Sequence, residues 1–161
     1  MSLINNFTKK DDTYWQGEMC VPWLKHTVSV MLEKSVTLEY AEKCASHLVR
    51  MEPQMQNELL HRIFAYYQEC KDDWADFQVM YQNVLQKIRD IIPEKLCFTD
   101  ILYYITDCTL YIEPHQSNDV CYSVSCNCVW EPEHGLEMIF FDKKIVYVGQ
   151  YTGYNAWNLH P

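Results

Sequence analysis

The sequence predicts an α+β domain made of an N-terminal β-hairpin, about three helices and then a C-terminal antiparallel sheet. Near both ends, apolar residues alternate with polar ones, which is the period of a strand; in the middle they recur every three or four residues, the period of a helix. The 161 residues suffice for one domain with its own core, and only four glycines argue against extended linkers. We therefore expect a flexible, polar N-terminus over residues 1–12 and a single α+β domain over residues 13–161.

The N-terminal hairpin is predicted from two period-two stretches. The first strand begins at Tyr14, and a break at residues 22–25 separates it from the second. The residues expected to share a buried face are Trp15, Gly17, Met19 and Val21, followed by Val28, Val30 and Leu32.

Three helices are predicted next. Thr37 can cap the first, because its hydroxyl accepts a free N–H of the first turn. Pro53 suits the first turn of the second helix, because the backbone N–H groups of a first turn have no partner within the helix. The polar residues 71–73 predict a break before a third helix over about Phe77 to Ile92, which Pro93 ends. The expected apolar stripes are Leu38, Ala41, Ala45, Leu48 and Val49; Met55, Leu59, Leu60, Ile63 and Tyr67; and Met80, Val84, Leu85, Ile88 and Ile92.

The C-terminal sheet begins after Thr99-Asp100, which can cap a single helical turn. A strand through Leu110 and Ile112 stops at Glu113-Pro114, and residues 115–119 form a turn. The next strand places Val120, Tyr122, Val124, Cys126, Cys128 and Trp130 on one face. Residues 136–141 and 145–148 form a closing hairpin.

Composition and charge limit the function classes. Thirteen Lys and Arg against 22 Asp and Glu give a net charge of −9, which repels nucleic-acid phosphates and steers basic partners. The first residues lack the pattern of a secretory signal, and no apolar run approaches the ~20 residues of a membrane span. We therefore expect a cytoplasmic protein that binds neither nucleic acid nor membrane. The eight cysteines lie in core-like segments and are expected to be reduced.

One short segment concentrates the side chains with chemical potential: Cys126, Cys128, Trp130, Glu131, Glu133 and His134. Residues 128–136 read Cys-Val-Trp-Glu-Pro-Glu-His-Gly-Leu and resemble the hallmark Cys-x-Trp-Asp-x-Glu-His-Gly-Leu of a family of small bacterial proteins known only as a domain of unknown function. The chain departs at Glu131, where that family has Asp. Tyr14-Trp15-Gln16-Gly17, Ala65-Tyr66-Tyr67 and Val148-Gly149 extend the resemblance more weakly. It implies no established activity, but its members look like the immunity-type and accessory proteins that accompany secreted bacterial toxins.

Three interpretations of the segment are open. Cys126, Cys128, Glu133 and His134 form a chemically adequate zinc set, although cysteines one residue apart on a strand are not usual zinc spacing. A Glu133–His134 acid–base pair would need a nucleophile such as Ser125 or one of the thiols, and none lies in a recognisable elbow.

The third interpretation is structural. Trp130 would be core with its indole N–H satisfied locally, Glu133 would cap the turn, His134 would bond a carbonyl, and Gly135 would supply a positive φ.

The favoured function is a non-catalytic binding protein without a cofactor, of the immunity type, that occludes a protein partner such as a basic toxin domain. Tyr151 and Tyr154, in an irregular segment, are aromatics of the kind that interfaces use as anchors. The alternative is a metal-binding or Cys/His-dependent enzyme built on Cys126, Cys128, Glu133 and His134.

Overall fold

The strands of the protein form one mixed sheet. The computed structural model describes the backbone of residues 2–76 and 82–159. In this part of the chain the seven strands are β1 (Asn5–Lys9), β2 (Tyr14–Val21), β3 (His26–Glu33), β4 (Ile105–Ile112), β5 (Cys121–Cys128), β6 (Leu136–Phe141) and β7 (Lys144–Gly149). They lie side by side in chain order, and each neighbouring pair is antiparallel except β3 and β4, which are parallel.

The α+β class is therefore confirmed, but the prediction of a separate N-terminal hairpin and C-terminal sheet is wrong. Val30 of β3 pairs with Leu110 of β4, which joins the two predicted units into one sheet. A parallel pair needs a long crossover, and the helices between Glu33 and Ile105 supply it. Period-two alternation can identify a strand, but it carries no information about which distant strand it pairs with.

The described helices are α1 (Leu38–Val49), α2 (Pro53–Asp76) and α3 (Gln82–Ile91), with short 3₁₀ segments at Pro22–Leu24, Phe98–Tyr104 and Ala156–Asn158. The Thr37 cap is confirmed, because its Oγ1 accepts a hydrogen bond from the Tyr40 N–H at 3.3 Å. No helix in residues 2–76 or 82–159 is both long and apolar enough to cross a membrane.

Two details of the helix prediction are wrong. Residues 71–73 do not separate two helices. Helix α2 continues through them to Asp76, and all three side chains are exposed. Leu38 and Val84, predicted to point inward, are exposed. The first part of the predicted third helix, residues 77–81 with Met80, lies outside the described residues.

Residues 5–9 of the N-terminal segment form the edge strand β1. The carboxylate of Glu42 in α1 accepts hydrogen bonds from the backbone N–H groups of Leu3 at 3.0 Å and Ile4 at 3.3 Å, and from the Ser2 hydroxyl. Ile4 is buried beneath this contact. The sequence did not predict this strand, because the side chains of β1 are all exposed and give no alternation of buried and exposed residues.

The two faces of the sheet differ in chemistry. The helix face carries the main core; there the Tyr122 hydroxyl lies 2.7 Å from His47 Nδ1 of α1, and its ring stacks on Phe140. We call the opposite side the polar face, defined by Met31, Tyr111, Ser123 and Glu137. Residues 150–159 run across this polar face, where the Trp157 ring meets Phe141 edge-on at 5.7 Å.

Candidate functional site

The segment singled out by the sequence forms the turn between β5 and β6. The Gly135 N–H donates to the Glu131 carbonyl at 2.9 Å and closes the turn. Inside it, Glu131 Oε1 accepts from the N–H groups of Glu133 at 3.1 Å and His134 at 3.2 Å. The predicted cap is thus made by Glu131 and not by Glu133, whose side chain is exposed.

Gly135 is required by two features of the turn. Its φ is +68°, the left-handed region predicted for it, and a Cβ there would lie 2.6 Å from the Cys126 carbonyl oxygen. The Tyr66 hydroxyl of α2 donates to the Gly135 carbonyl at 3.0 Å. The glycine thereby lets the chain turn tightly against β5 and enter β6 in register.

Trp130 lies in the core, as predicted, at 1% exposure. Its ring meets Tyr66 and Tyr67 edge-on, with centroids 6.4 and 5.9 Å away. The predicted local bond of its indole is wrong, because Nε1 is buried with no hydrogen-bond partner in the described part of the chain. The Cys128 thiol donates to the Glu131 carbonyl at 3.7 Å and packs beside this aromatic group.

The side chains considered for a metal site at the turn do not form a cluster in the described part of the chain. Burial raises the pKa of the Cys128 thiol to about 12, and burial with Cys108 alongside raises the pKa of Cys126, so both stay protonated at neutral pH. His134 is 54% exposed and lies 3.4 Å from Glu131 Oε1, not against a carbonyl oxygen. Within residues 2–76 and 82–159, no three His, Cys, Asp or Glu side chains lie close enough together to hold a metal ion.

A second group of polar side chains lies on the polar face and was not predicted as a site. It encloses a cavity of about 190 Å³, which we call the acidic pocket. Its polar groups include the carboxylates of Glu113 and Glu137 and the hydroxyl of Ser123, and no Lys, Arg or His is among the described residues that line it. Its aromatic wall consists of Tyr14, Tyr111, Tyr151 and Tyr154.

The strands place these residues together. Tyr111 of β4 pairs with both Met31 of β3 and Ser123 of β5, and all three side chains point to the polar face. Glu137 of β6 faces Ser125 across the neighbouring pair. Because the turn at Gly135 fixes the start of β6, the motif segment sets the position of Glu137 two residues later.

Two carboxylates hold the C-terminal segment over the pocket. Glu137 Oε2 accepts from the N–H of Thr152 at 2.9 Å and from its hydroxyl at 2.7 Å. Glu113 Oε2 accepts from the Ala156 N–H at 2.9 Å. The chain between these anchors contains Gly153 and Tyr154, which form one side of the cavity.

The pocket is electrostatically negative. Burial raises the pKa of Glu113, and the carboxylates of Glu33 and Glu137 raise it further. Burial likewise raises the pKa of Tyr111, with Tyr151 and Tyr14 contributing. Burial is the largest cause of both shifts and nearby acidic groups add to it, so each raised pKa favours the uncharged form of its group.

One signal in the sequence could have identified this site. Glu137 interrupts the apolar run Leu-Glu-Met-Ile-Phe-Phe of β6, and a carboxylate inside such a run is seldom fully buried without a partner. It is in fact 1% exposed. Glu113 gave no comparable signal, since it follows the last residue of a strand and precedes a proline, as many turn residues do.

Comparison with known proteins gives a family and no activity. Neither the search of curated proteins nor the search of solved structures found a match. A family model spans nearly the whole chain, including the turn at Gly135 and both carboxylates of the acidic pocket. The chain belongs to the family described as "Domain of unknown function (DUF6985)", whose model matches residues 3–155.

Proposed function

We propose that the protein is a non-catalytic binding protein that occludes a basic protein partner with the polar face of its sheet. The observation that carries this proposal is the acidic pocket, where the carboxylates of Glu113 and Glu137 share a tyrosine-lined cavity with no Lys, Arg or His among its described lining residues. The net charge of −9 acts in the same direction, because it accelerates encounter with a positively charged surface.

The aromatic residues around the pocket support protein binding. Tyr151 is 52% exposed and Tyr154 is 63% exposed, although both are large rings beside a cavity. Tyrosine is enriched in binding hot spots because it offers a large contact area and a hydroxyl at a small cost in conformational entropy. These two residues are the anchors that we expect a partner to cover.

The buried thiols argue for binding in preference to catalysis. A cysteine nucleophile works as its thiolate, and the raised pKa values of Cys126 and Cys128 disfavour that form. The acidic pocket holds a serine, Ser123, but no histidine among its described lining residues to act as its base. The groups present can accept hydrogen bonds and attract cations.

The biological setting that we propose is immunity. The motif at residues 128–136 resembles that of bacterial proteins that accompany secreted toxins, so the partner would be a basic toxin domain neutralised in the cytoplasm. Its occlusion would require a rigid surface, and the seven-stranded sheet backed by helices provides one.

The test begins with affinity capture of the tagged chain from its native lysate and identification of the partner by mass spectrometry. The association rate of the two purified proteins is then measured at about 50 and about 500 mM salt, and we expect it to fall roughly tenfold or more. A matched pair of variants locates the effect. Glu113→Gln with Glu137→Gln removes two charges at the pocket, whereas Asp72→Asn with Asp73→Asn removes two from the exposed side of α2.

Slower association and faster dissociation in the pocket variant alone would support the proposal. An association rate unaffected by salt, or an equal effect of both double variants, would contradict it.

A further inference from the structure

We infer that the acidic pocket receives one arginine side chain of the basic partner, an inference that rests on the proposed function and adds its chemical specificity. Three features of the pocket support it: the size of the cavity, its unused hydrogen-bond acceptors and its aromatic wall.

The size of the cavity favours a side chain over a free ligand. Its volume is about 190 Å³. Sites for drug-sized molecules and cofactors occupy ~300–1,000 Å³, so such a ligand would not fit here. A single long side chain projecting from a protein surface would fit.

The acceptors of the pocket are only half used. In both Glu137 and Glu113 the Oε2 atom bonds to the C-terminal segment, while Oε1 accepts no hydrogen bond from the described residues. The hydroxyl of Ser123 is on a residue only 8% exposed and also has no partner in the described part of the chain. These atoms belong to residues that line the cavity, so they are available to a ligand rich in N–H donors.

The distribution of acceptors and rings favours guanidinium over ammonium. Guanidinium is planar, carries five N–H donors and stacks on aromatic faces, so it suits a cavity lined by carboxylates and by tyrosine rings. An ammonium group is a compact, strongly hydrated charge with three donors, and leaving water costs it more. Arginine also keeps its charge in a partly buried site, because its pKa stays above 12.

Glutamine substitutions can test the pocket without releasing the C-terminal segment that lies over it. A glutamine at position 137 keeps a carbonyl oxygen for the N–H and hydroxyl of Thr152, and one at position 113 keeps an acceptor for Ala156. Each removes the negative charge that the inference requires.

The experiment titrates the full chain with three capped pentapeptides, Gly-Gly-X-Gly-Gly, in which X is arginine, lysine or citrulline. Citrulline is the neutral analogue of arginine and is the matched ligand control. Amide shifts in a two-dimensional NMR spectrum report both the affinity and the place of binding. We expect shifts at Gly153 and Tyr154, and an affinity for the arginine peptide at least tenfold above that for citrulline and several-fold above that for lysine.

We expect Glu137→Gln to lower the affinity for the arginine peptide at least tenfold, and Asp72→Asn with Asp73→Asn to leave that affinity unchanged. Glu113→Gln is a second variant, at a less buried carboxylate, should Glu137→Gln fail to fold. Equal binding of lysine and arginine, equal binding of citrulline, or shifts confined to another surface would each overturn the inference. Tighter binding of the free polyamine spermidine than of the arginine peptide would also overturn it, by identifying a small-molecule site.

The same variants separate this inference from the proposed function. If the pocket variants lose the arginine peptide and the purified partner together, both proposals are supported. If no peptide binds wild type, while the partner still associates in a salt-sensitive way, the arginine receptor is wrong and the binding function stands.

Discussion

Replacing Gly135 with alanine tests the structural role assigned to the turn between β5 and β6. An L-residue at its φ of +68° costs ~1–2 kcal/mol in the left-handed region. The new Cβ would also lie 2.6 Å from the Cys126 carbonyl oxygen, which is backbone and can move only with β5. Overpacking of this kind typically costs a further ~1–3 kcal/mol, so we expect a total of ~3 kcal/mol.

Gly153 provides a matched control. It has the same φ of +68°, but its nearest neighbour would be a side-chain atom of Tyr151 at an ordinary 3.6 Å. Gly153→Ala therefore isolates the backbone conformation and should cost only ~1–2 kcal/mol. The difference between the two variants measures the steric contact with β5.

Urea unfolding at equilibrium measures both free energies, and thermal melts give a parallel estimate. For a chain of this size, 1 kcal/mol corresponds to ~2–4 °C, so Gly135→Ala should lower the melting temperature by roughly 6–12 °C. The reasoning is refuted if Gly135→Ala and Gly153→Ala destabilise equally, since the contact with Cys126 would then contribute nothing.

The other predictions concern single contacts. Glu131→Ala removes the acceptor of two turn N–H groups and should cost ~1–2 kcal/mol in urea unfolding, whereas the exposed His134→Ala should change stability by under ~0.5 kcal/mol; a larger effect of His134 would contradict the capping role of Glu131. The pKa of Glu113 is raised in the folded state, so the folded protein binds more protons and stability declines as pH rises from ~4.3 through the folded pKa. Glu113→Gln should remove that decline, and an unchanged slope in unfolding measured from pH 4 to pH 7 would argue against it. Glu42→Ala should release Leu3 and speed hydrogen exchange in β1 but not in β2. An equal increase of the exchange rate in both strands would contradict this prediction.

Local patterns predicted most of the elements and failed where the outcome depends on distant residues. The alternation of Val28, Val30 and Leu32 identified β3 because one face of that strand is buried. Its parallel pairing with β4 could not be predicted from the two strands alone. The pairing depends on the helices between them, which form the long crossover that a parallel pair needs. The charges of residues 71–73 favour a break when the sequence is considered alone, yet charge on an exposed helix face is equally compatible with α2.

The candidate site shows the same limit. The cysteines and the histidine around Gly135 mark this turn in the sequence, and the predicted positive φ of that glycine is confirmed. Glu137, two residues later, stands out in the sequence as a carboxylate within an apolar run, but its hydrogen bonds to Thr152 could not be predicted because Thr152 lies in the distant C-terminal segment. The sequence alone does not show which face of the sheet the C-terminal segment will cover.

The most direct test of the binding account is a hydrogen-exchange footprint of the purified complex with the captured partner, compared with the free chain. The account predicts slower exchange in β4, β5 and β6 and in residues 150–154, which surround the acidic pocket. Protection confined to α1 and α2, with these strands unchanged, would place the partner on the helix side and contradict the claim that the polar face is the binding surface.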